Sequence, residues 1–318
     1  MKENTTSRRN ILKSSFLFGA GLTTGVTELM AAPAKKAKHN FTYSLNTATI
    51  REQKLGLVGE IETAAKAGYD GIEVWVSTVE EYVKKGGSLK DIKKLASDLG
   101  IVIEDGMGFS KWIVDDPAER ALAMEQNKRE MGMLAEIGCK RIAAPPMGAT
   151  NQPGLDLMKA AERYAALLKL GTEMGVKPQL EVWGFSANLH RFGEALYVAS
   201  ESGEPNAIIL PDVYHIYKGG SDFNSLKMIN GKCIEMFHMN DYPADPPKAT
   251  INDSHRVFPG DGVAPLNQIL KDLNDKNSPI VLSLELFNKE YWKMPAYDAA
   301  KIGLDKMKAS VAKAMAAS

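Results

Sequence analysis

Four short, mostly apolar runs in the second half of this 318-residue chain each end in a side chain able to bind a metal. They are Pro178–Glu181, Ala207–Asp212, Cys233–His238 and Ile280–Glu285. Runs this short and this apolar suit parallel strands buried on both faces. In a barrel of alternating strands and helices, functional groups come from the C-terminal ends of several strands, where a packing position would carry Val, Ile or Leu. Three carboxylates and one imidazole converging on a single rim need a counter-charge. Oxygen-rich ligation with one imidazole suits Mn²⁺, Mg²⁺ or Co²⁺ and admits Zn²⁺, so Glu181, Asp212, His238 and Glu285 are the expected ligands of one divalent ion.

The rest of the chain alternates in the same way. Phe41–Leu45, Gly71–Trp75, Ile101–Glu104 and Arg141–Ala144 read as strands one to four. Helices are expected over 61–67, 89–99, 117–137, 156–174 and 192–202, several stopped by a glycine such as Gly100, Gly138 or Gly175. Phe223–Ile229 and Leu266–Leu273 read as the last crossovers. Eight strands separated by helices, without hairpins, predict an α/β fold, a single-domain (β/α)8 barrel over residues 40–318. No Gly-x-Gly-x-x-Gly or phosphate-loop signature follows any strand, so no nucleotide cofactor is implied. Lysine plus arginine equals aspartate plus glutamate at 39 each, which leaves no basic field for nucleic acid or anionic membrane and points to small-molecule partners. Cys139 and Cys233 flank apolar segments and read as buried free thiols rather than a disulfide.

Residues 1–34 are a separate object. Ser7-Arg8-Arg9-Asn10-Ile11-Leu12-Lys13, a modest apolar run from Ser14 to Val26 and the small residues Ala31, Ala32 and Ala34 resemble a twin-arginine export signal with its cleavage zone. The apolar run is shorter than the ~20 residues a membrane span needs. Residues 35–39 form a basic spacer. Loss of 1–34 removes four basic and two acidic groups and leaves 35 against 37. The expected location is the periplasm, reached through the twin-arginine machinery, which carries proteins already folded.

From about residue 40 to 310 the chain resembles the xylose isomerase-like barrel superfamily of sugar isomerases and epimerases, with ketose 3-epimerase, hydroxypyruvate isomerase and inosose-processing members. The resemblance rests on Leu180-Glu181, Asp212-Val213-Tyr214-His215, His238-Met239-Asn240-Asp241, Arg256 ahead of Pro259-Gly260-Asp261-Gly262, and Leu284-Glu285 with Tyr291-Trp292 downstream. It implies that Glu181, Asp212, His238 and Glu285 hold the metal and that His215 and Arg256 bind substrate oxygens.

The chemistry agrees. Isomerising or epimerising a ketose removes a proton beside a carbonyl, and a divalent ion that chelates the carbonyl and adjacent hydroxyl stabilises the enediolate. Glu181 and Glu285, three strands apart, can approach opposite faces as acid and base. Arg256 can offset the residual negative charge. Trp75, Trp112, Trp183, Tyr214, Tyr217, Phe287 and Trp292 are expected at the mouth, with Trp183 as a substrate wall. Glu73 and Glu104 also close strands, but on the opposite half of the barrel and away from the metal. Asn188 reads as a helix cap, and Tyr242–Pro259 as a loop covering the site. The expected function is a metal-dependent isomerase or epimerase of an unphosphorylated sugar or keto-polyol. The alternative is a lyase or dehydratase of a keto-sugar, inosose or 3-keto-glycoside. A non-catalytic sugar binder would not need paired glutamates on a metal.

Overall fold

The computed structural model describes residues 39–316. The export signal assigned to residues 1–34, and the spacer up to residue 38, lie outside the described residues. Eight strands follow one another as β1 (Phe41–Asn46), β2 (Gly71–Trp75), β3 (Val102–Met107), β4 (Arg141–Ala144), β5 (Lys177–Glu181), β6 (Ile208–Leu210), β7 (Met236–Met239) and β8 (Ile280–Leu284). All ladders are parallel, in the order β6-β5-β4-β3-β2-β1-β8-β7. Between β6 and β7 the ladder is reduced to a parallel bridge from Asp212 to His238, with the His238 amide donating to Pro211 O at 2.9 Å. Pro211 has no N–H to contribute, which is one reason β6 stops after three residues. The sheet is therefore a nearly closed single-domain (β/α)8 barrel.

Helices α1 (Gly56–Ala67), α2 (Val76–Lys84), α3 (Leu89–Leu99), α4 (Pro117–Glu136), α5 (Leu157–Met174), α6 (Phe192–Glu201), α7 (Val213–Gly219), α8 (Leu266–Asn274) and α9 (Ala296–Ala316) complete the crossovers. Their ends follow local rules. Asp116 caps α4 by accepting from the Ala118 and Glu119 amides at 2.8 Å each, with Pro117 in the first turn. Asp156 caps α5 in the same way, and Gly100 and Gly175 end α3 and α5 in the left-handed conformation. Three helices, α2, α7 and α9, were not marked out by the sequence. The crossover expected at Phe223–Ile229 is a 3-10 helix, Phe223–Met228.

Two apolar compartments hold the fold. The larger lies between strands and helices, and a small inner cluster of Met107, Ala143, Leu210, Met236 and Val281 fills part of the barrel. At the N-terminal ends of the strands the barrel is closed by charge. Arg141 donates to Glu104 Oε2 and Glu235 Oε2 at 2.8 Å each, while Lys140 pairs with Glu104 and Lys177 with Glu235. Glu104, expected to end β3, is instead its third residue and belongs to this network. The two cysteines are free, as expected, although only Cys139 is fully buried.

Candidate metal and substrate site

The opposite, C-terminal rim gathers the four residues that end the apolar runs. Glu181 is the last residue of β5, Asp212 follows β6, His238 lies within β7 and Glu285 follows β8; all four are at most 2% exposed. His238 Nδ1 stands 3.2 Å from Glu285 Oε2, 3.8 Å from Asp212 Oδ2 and 3.9 Å from Glu181 Oε1. One donor atom from each of Glu181, His238 and Glu285 lies within 4.8 Å of the others. Ligands ~2.0–2.2 Å from a shared ion stand roughly 3–4.4 Å from one another, so these separations suit a single metal. Nδ1 of His238 and Oε2 of Glu181 are buried and have no hydrogen-bond partner, a costly arrangement for polar atoms unless they serve a ligand. Asp212 adjoins the trio with its oxygens engaged: Oδ1 accepts from the His215 amide at 2.8 Å, and Oδ2 from Asn240 at 2.8 Å and Arg256 at 3.2 Å.

Arg256 reaches the same oxygens. Its Nη1 donates to Glu285 Oε2 at 2.7 Å and to Asp212 Oδ2, while Nη2 meets Asp253 and lies 2.9 Å from His215 Nε2. The guanidinium is flanked by the rings of Tyr214 at 4.6 Å and Phe287 at 5.1 Å. His215 Nδ1 in turn faces the Gly184 amide at 3.2 Å. A neutral imidazole accepts at one nitrogen only, so one of these two donors remains for a ligand oxygen. The backbone makes this closeness feasible: a Cβ on Gly184 would fall 2.4 Å from His215 O, and one on Gly219 would fall 1.8 Å from His190 O.

Local charge drives the two glutamates apart. Burial pushes the Glu181 carboxyl up to about 8, against the pull of His238. Glu285 is equally buried, yet His238 and Arg256 hold it well below the usual carboxylate range.

Above the carboxylates lies a cavity of about 210 Å³ lined by Glu181, Glu285, His215, Arg256, Asp253 and a set of aromatic rings. Phe287, Trp75, Phe109, Trp183 and Phe185 succeed one another with centroid separations of 6.4, 5.0, 6.2 and 5.2 Å. Trp183, expected as a substrate wall, lines the cavity beside Glu181. Trp75 and Phe287 are also there. Trp112 is not: it is buried against Tyr164 and donates to Pro145 O. Tyr217 stacks on Tyr242, Trp292 donates to Ala48 O, and Tyr214 lies beneath Arg256.

Several contributors carried no sequence signal. Asn46 ends β1, donates to Glu285 Oε1 at 3.2 Å and accepts from Trp75 Nε1 at 3.2 Å. Phe109 and Phe185 complete the collar. Asn188 does not cap a helix; its amide donates to Ala149 O and Gln152 O and its oxygen accepts from the Leu155 amide, tying the β4 loop to the β5 loop. Asp241 accepts from the amides of Tyr242, Gly260, Gly262 and Ala264, so the Pro-Gly-Asp-Gly turn is a clamp that fixes the strand pairing of Asp241 with Val257, next to Arg256. Glu73, read as remote from the metal, lies 2.9 Å from His238 Nε2, across the barrel.

A parallel eight-stranded barrel whose C-terminal mouth carries buried carboxylates, an unpartnered imidazole nitrogen and a ring-lined cavity defines a class of metal-capable barrel. Within that class the chain belongs to the xylose isomerase-like TIM barrel family, whose model matches residues 61–310. It is 28% identical over 281 residues to an inosose isomerase of Bacillus velezensis, spanning 84% of this chain and 96% of that protein. It is 23% identical over 250 residues to a fructoselysine 3-epimerase of Escherichia coli O157:H7, spanning 75% and 88%. A crystal structure of the IOLI protein with a bound zinc atom superposes with a TM-score of 0.79 at 26% identity, over 86% of this chain and 98% of that one.

Proposed function

We propose that the protein is a divalent-metal-dependent isomerase or epimerase of an unphosphorylated sugar or keto-polyol. The observation that carries this reading is the placement of Glu181 and Glu285 within 3.9 and 3.2 Å of His238 Nδ1, both lining the ring-lined cavity. The inosose isomerase and fructoselysine 3-epimerase relatives support it. What a divalent ion supplies, held by Glu181, His238, Glu285 and the adjacent Asp212, is electron withdrawal from a carbonyl and the hydroxyl beside it. Mn²⁺, Mg²⁺, Co²⁺ and Zn²⁺ all suit this donor set.

The chain's own groups move the proton. Glu181, with Oε2 unpartnered toward the cavity, takes the hydrogen from the carbon beside the carbonyl, and Glu285 works the opposite face of the planar enediolate. His215 and Arg256 bind substrate oxygens, and Trp183 presents a flat apolar wall to the sugar ring. The cavity lining contains no lysine and one arginine, already engaged by carboxylates, which favours an unphosphorylated substrate.

The run of five aromatic rings favours a second reading that shares the opening step: a lyase acting on a 3-keto-glycoside, with the rings receiving the group that leaves. Incubation with ketoses, inososes and 3-keto-glycosides in deuterated water separates the two. Deuterium at one carbon with the skeleton kept supports the isomerase; loss of water or an aglycone supports the lyase. No incorporation with any substrate would end both readings.

Residues 1–34 serve export to the periplasm in this proposal. Changing Arg8 and Arg9 together to lysine should hold the protein in the cytoplasm, and unchanged export would remove the assignment.

A further inference from the structure

The barrel interior beneath the site holds acids that proton transfer does not use. We infer that Glu73 is a positioning residue that presents Nδ1 of His238 to the metal site. This rests on the metal reading proposed above.

A neutral imidazole offers one lone pair, and the nitrogen bonded elsewhere decides which. Glu73 Oε1 lies 2.9 Å from His238 Nε2, with both side chains fully buried. A carboxylate only accepts, so Nε2 carries the proton and Nδ1 turns its lone pair toward Glu181, Asp212 and Glu285. The other oxygen of the Glu73 carboxylate is satisfied from another strand. Ser283 in β8 donates to Oε2 at 2.6 Å. Asp105 in β3 lies buried nearby, and burial and Glu73 push its carboxyl well above the usual range. Gln179 in β5 donates to Asp105 Oδ1 at 3.0 Å and holds it in place. The bonded groups come from β7, β2 and β8, so the imidazole cannot rotate without breaking buried bonds. Filling a barrel interior with apolar side chains costs less than burying an acid pair. An acid pair placed directly behind an imidazole matches the carboxylate partner that orients metal-binding histidines.

The test uses the full chain. Cobalt(II) titration gives affinity, and long-range proton–nitrogen spectra of the zinc-loaded protein report which His238 nitrogen binds the ion. Nδ1 ligation with the proton on Nε2 is expected, with Glu73→Gln binding cobalt roughly 10- to 100-fold more weakly. A merely structural role would lower the melting temperature and leave affinity and ligating nitrogen unchanged. Ligation through Nε2, or wild-type affinity in Glu73→Gln, overturns the role. If Glu73→Gln does not fold, the spectrum of the wild-type zinc complex decides. A wild-type protein that binds neither cobalt nor zinc removes the metal reading and this role together, whereas wild-type binding with an indifferent Glu73→Gln removes only the role.

Discussion

Asp212 and His238 form the parallel bridge that joins β6 to β7, where the barrel otherwise lacks a ladder. Two of the four metal-capable side chains therefore also join the wall. An ion held between the β5, β7 and β8 side chains with Asp212 alongside would tie both sides of this junction. Chelation should abolish turnover and accelerate amide exchange in Met236–Met239 and Ile208–Leu210 more than in β1 or β2. Mass spectrometry of exchanged peptides, with and without chelator, checks this. Uniform acceleration across all strands would refute the local effect.

Glu181→Gln and Glu285→Gln should each lower kcat by on the order of a thousandfold, because proton transfer is required at both faces of the intermediate. Either change can also weaken the ion, so metal content is measured before rates are compared. A metal-loaded Glu285→Gln protein that exchanges the substrate's carbon-bound hydrogen without forming product would fix Glu181 as the first base. Full activity in either loaded variant would sink the two-carboxylate mechanism.

Asp241 accepts four backbone amides at 2.8–3.1 Å and sets the turn beside Arg256. Asp241→Ala strands several buried donors and should cost about 3 kcal/mol or more, seen as a lower melting temperature. With Arg256 loosened, KM should rise more than kcat falls. A variant with unchanged stability would show that water or neighbouring groups replace the carboxylate.

Glu60 supplies the pH dependence. It lies in α1 at 5% exposure with Oε2 unpartnered; burial pushes its carboxyl up to about 7, with Arg51 pulling it down and Glu81 adding a smaller upward push. A raised carboxyl pKa contributes stability that is complete below its unfolded value of 4.5 and is lost as pH rises through about 7. Wild type should therefore lose on the order of 2–3 kcal/mol over that window through this group. Glu60→Gln should melt close to wild type at pH 4.5 and above it at pH 8. The same difference at both pH values would show that Glu60 stays charged throughout.

The sequence made visible what local pattern encodes. Apolar runs ending in Glu181, Asp212, His238 and Glu285 are strand ends, and their phase alone places them on one rim. Glycine stops likewise marked the ends of α3, α4 and α5. What stayed hidden depends on partners remote in the chain. Glu73 touches His238 from 165 residues away, across the barrel rather than along it, and no local spacing reports such a contact. Asn46 and Glu285 are 239 residues apart. Phe109 and Phe185 lie in loops without periodicity, and Trp112 was misplaced because a tryptophan after a strand fits a mouth or a core equally well. The short helix α2 follows β2 directly and leaves no turn residue to announce it, while α7 is capped by Asp212, a residue whose place at a strand end reads first as a metal ligand.

The ion pairs of Arg141 with Glu104 and Glu235, flanked by Lys140 and Lys177, seal the barrel at the end away from the site. The protein is thus a cup and not a pipe. Whatever enters past the aromatic rim must leave by the same route, so a fresh molecule waits until its predecessor has gone. Traffic through one doorway, and not only the proton steps at the bottom, then sets a ceiling on turnover.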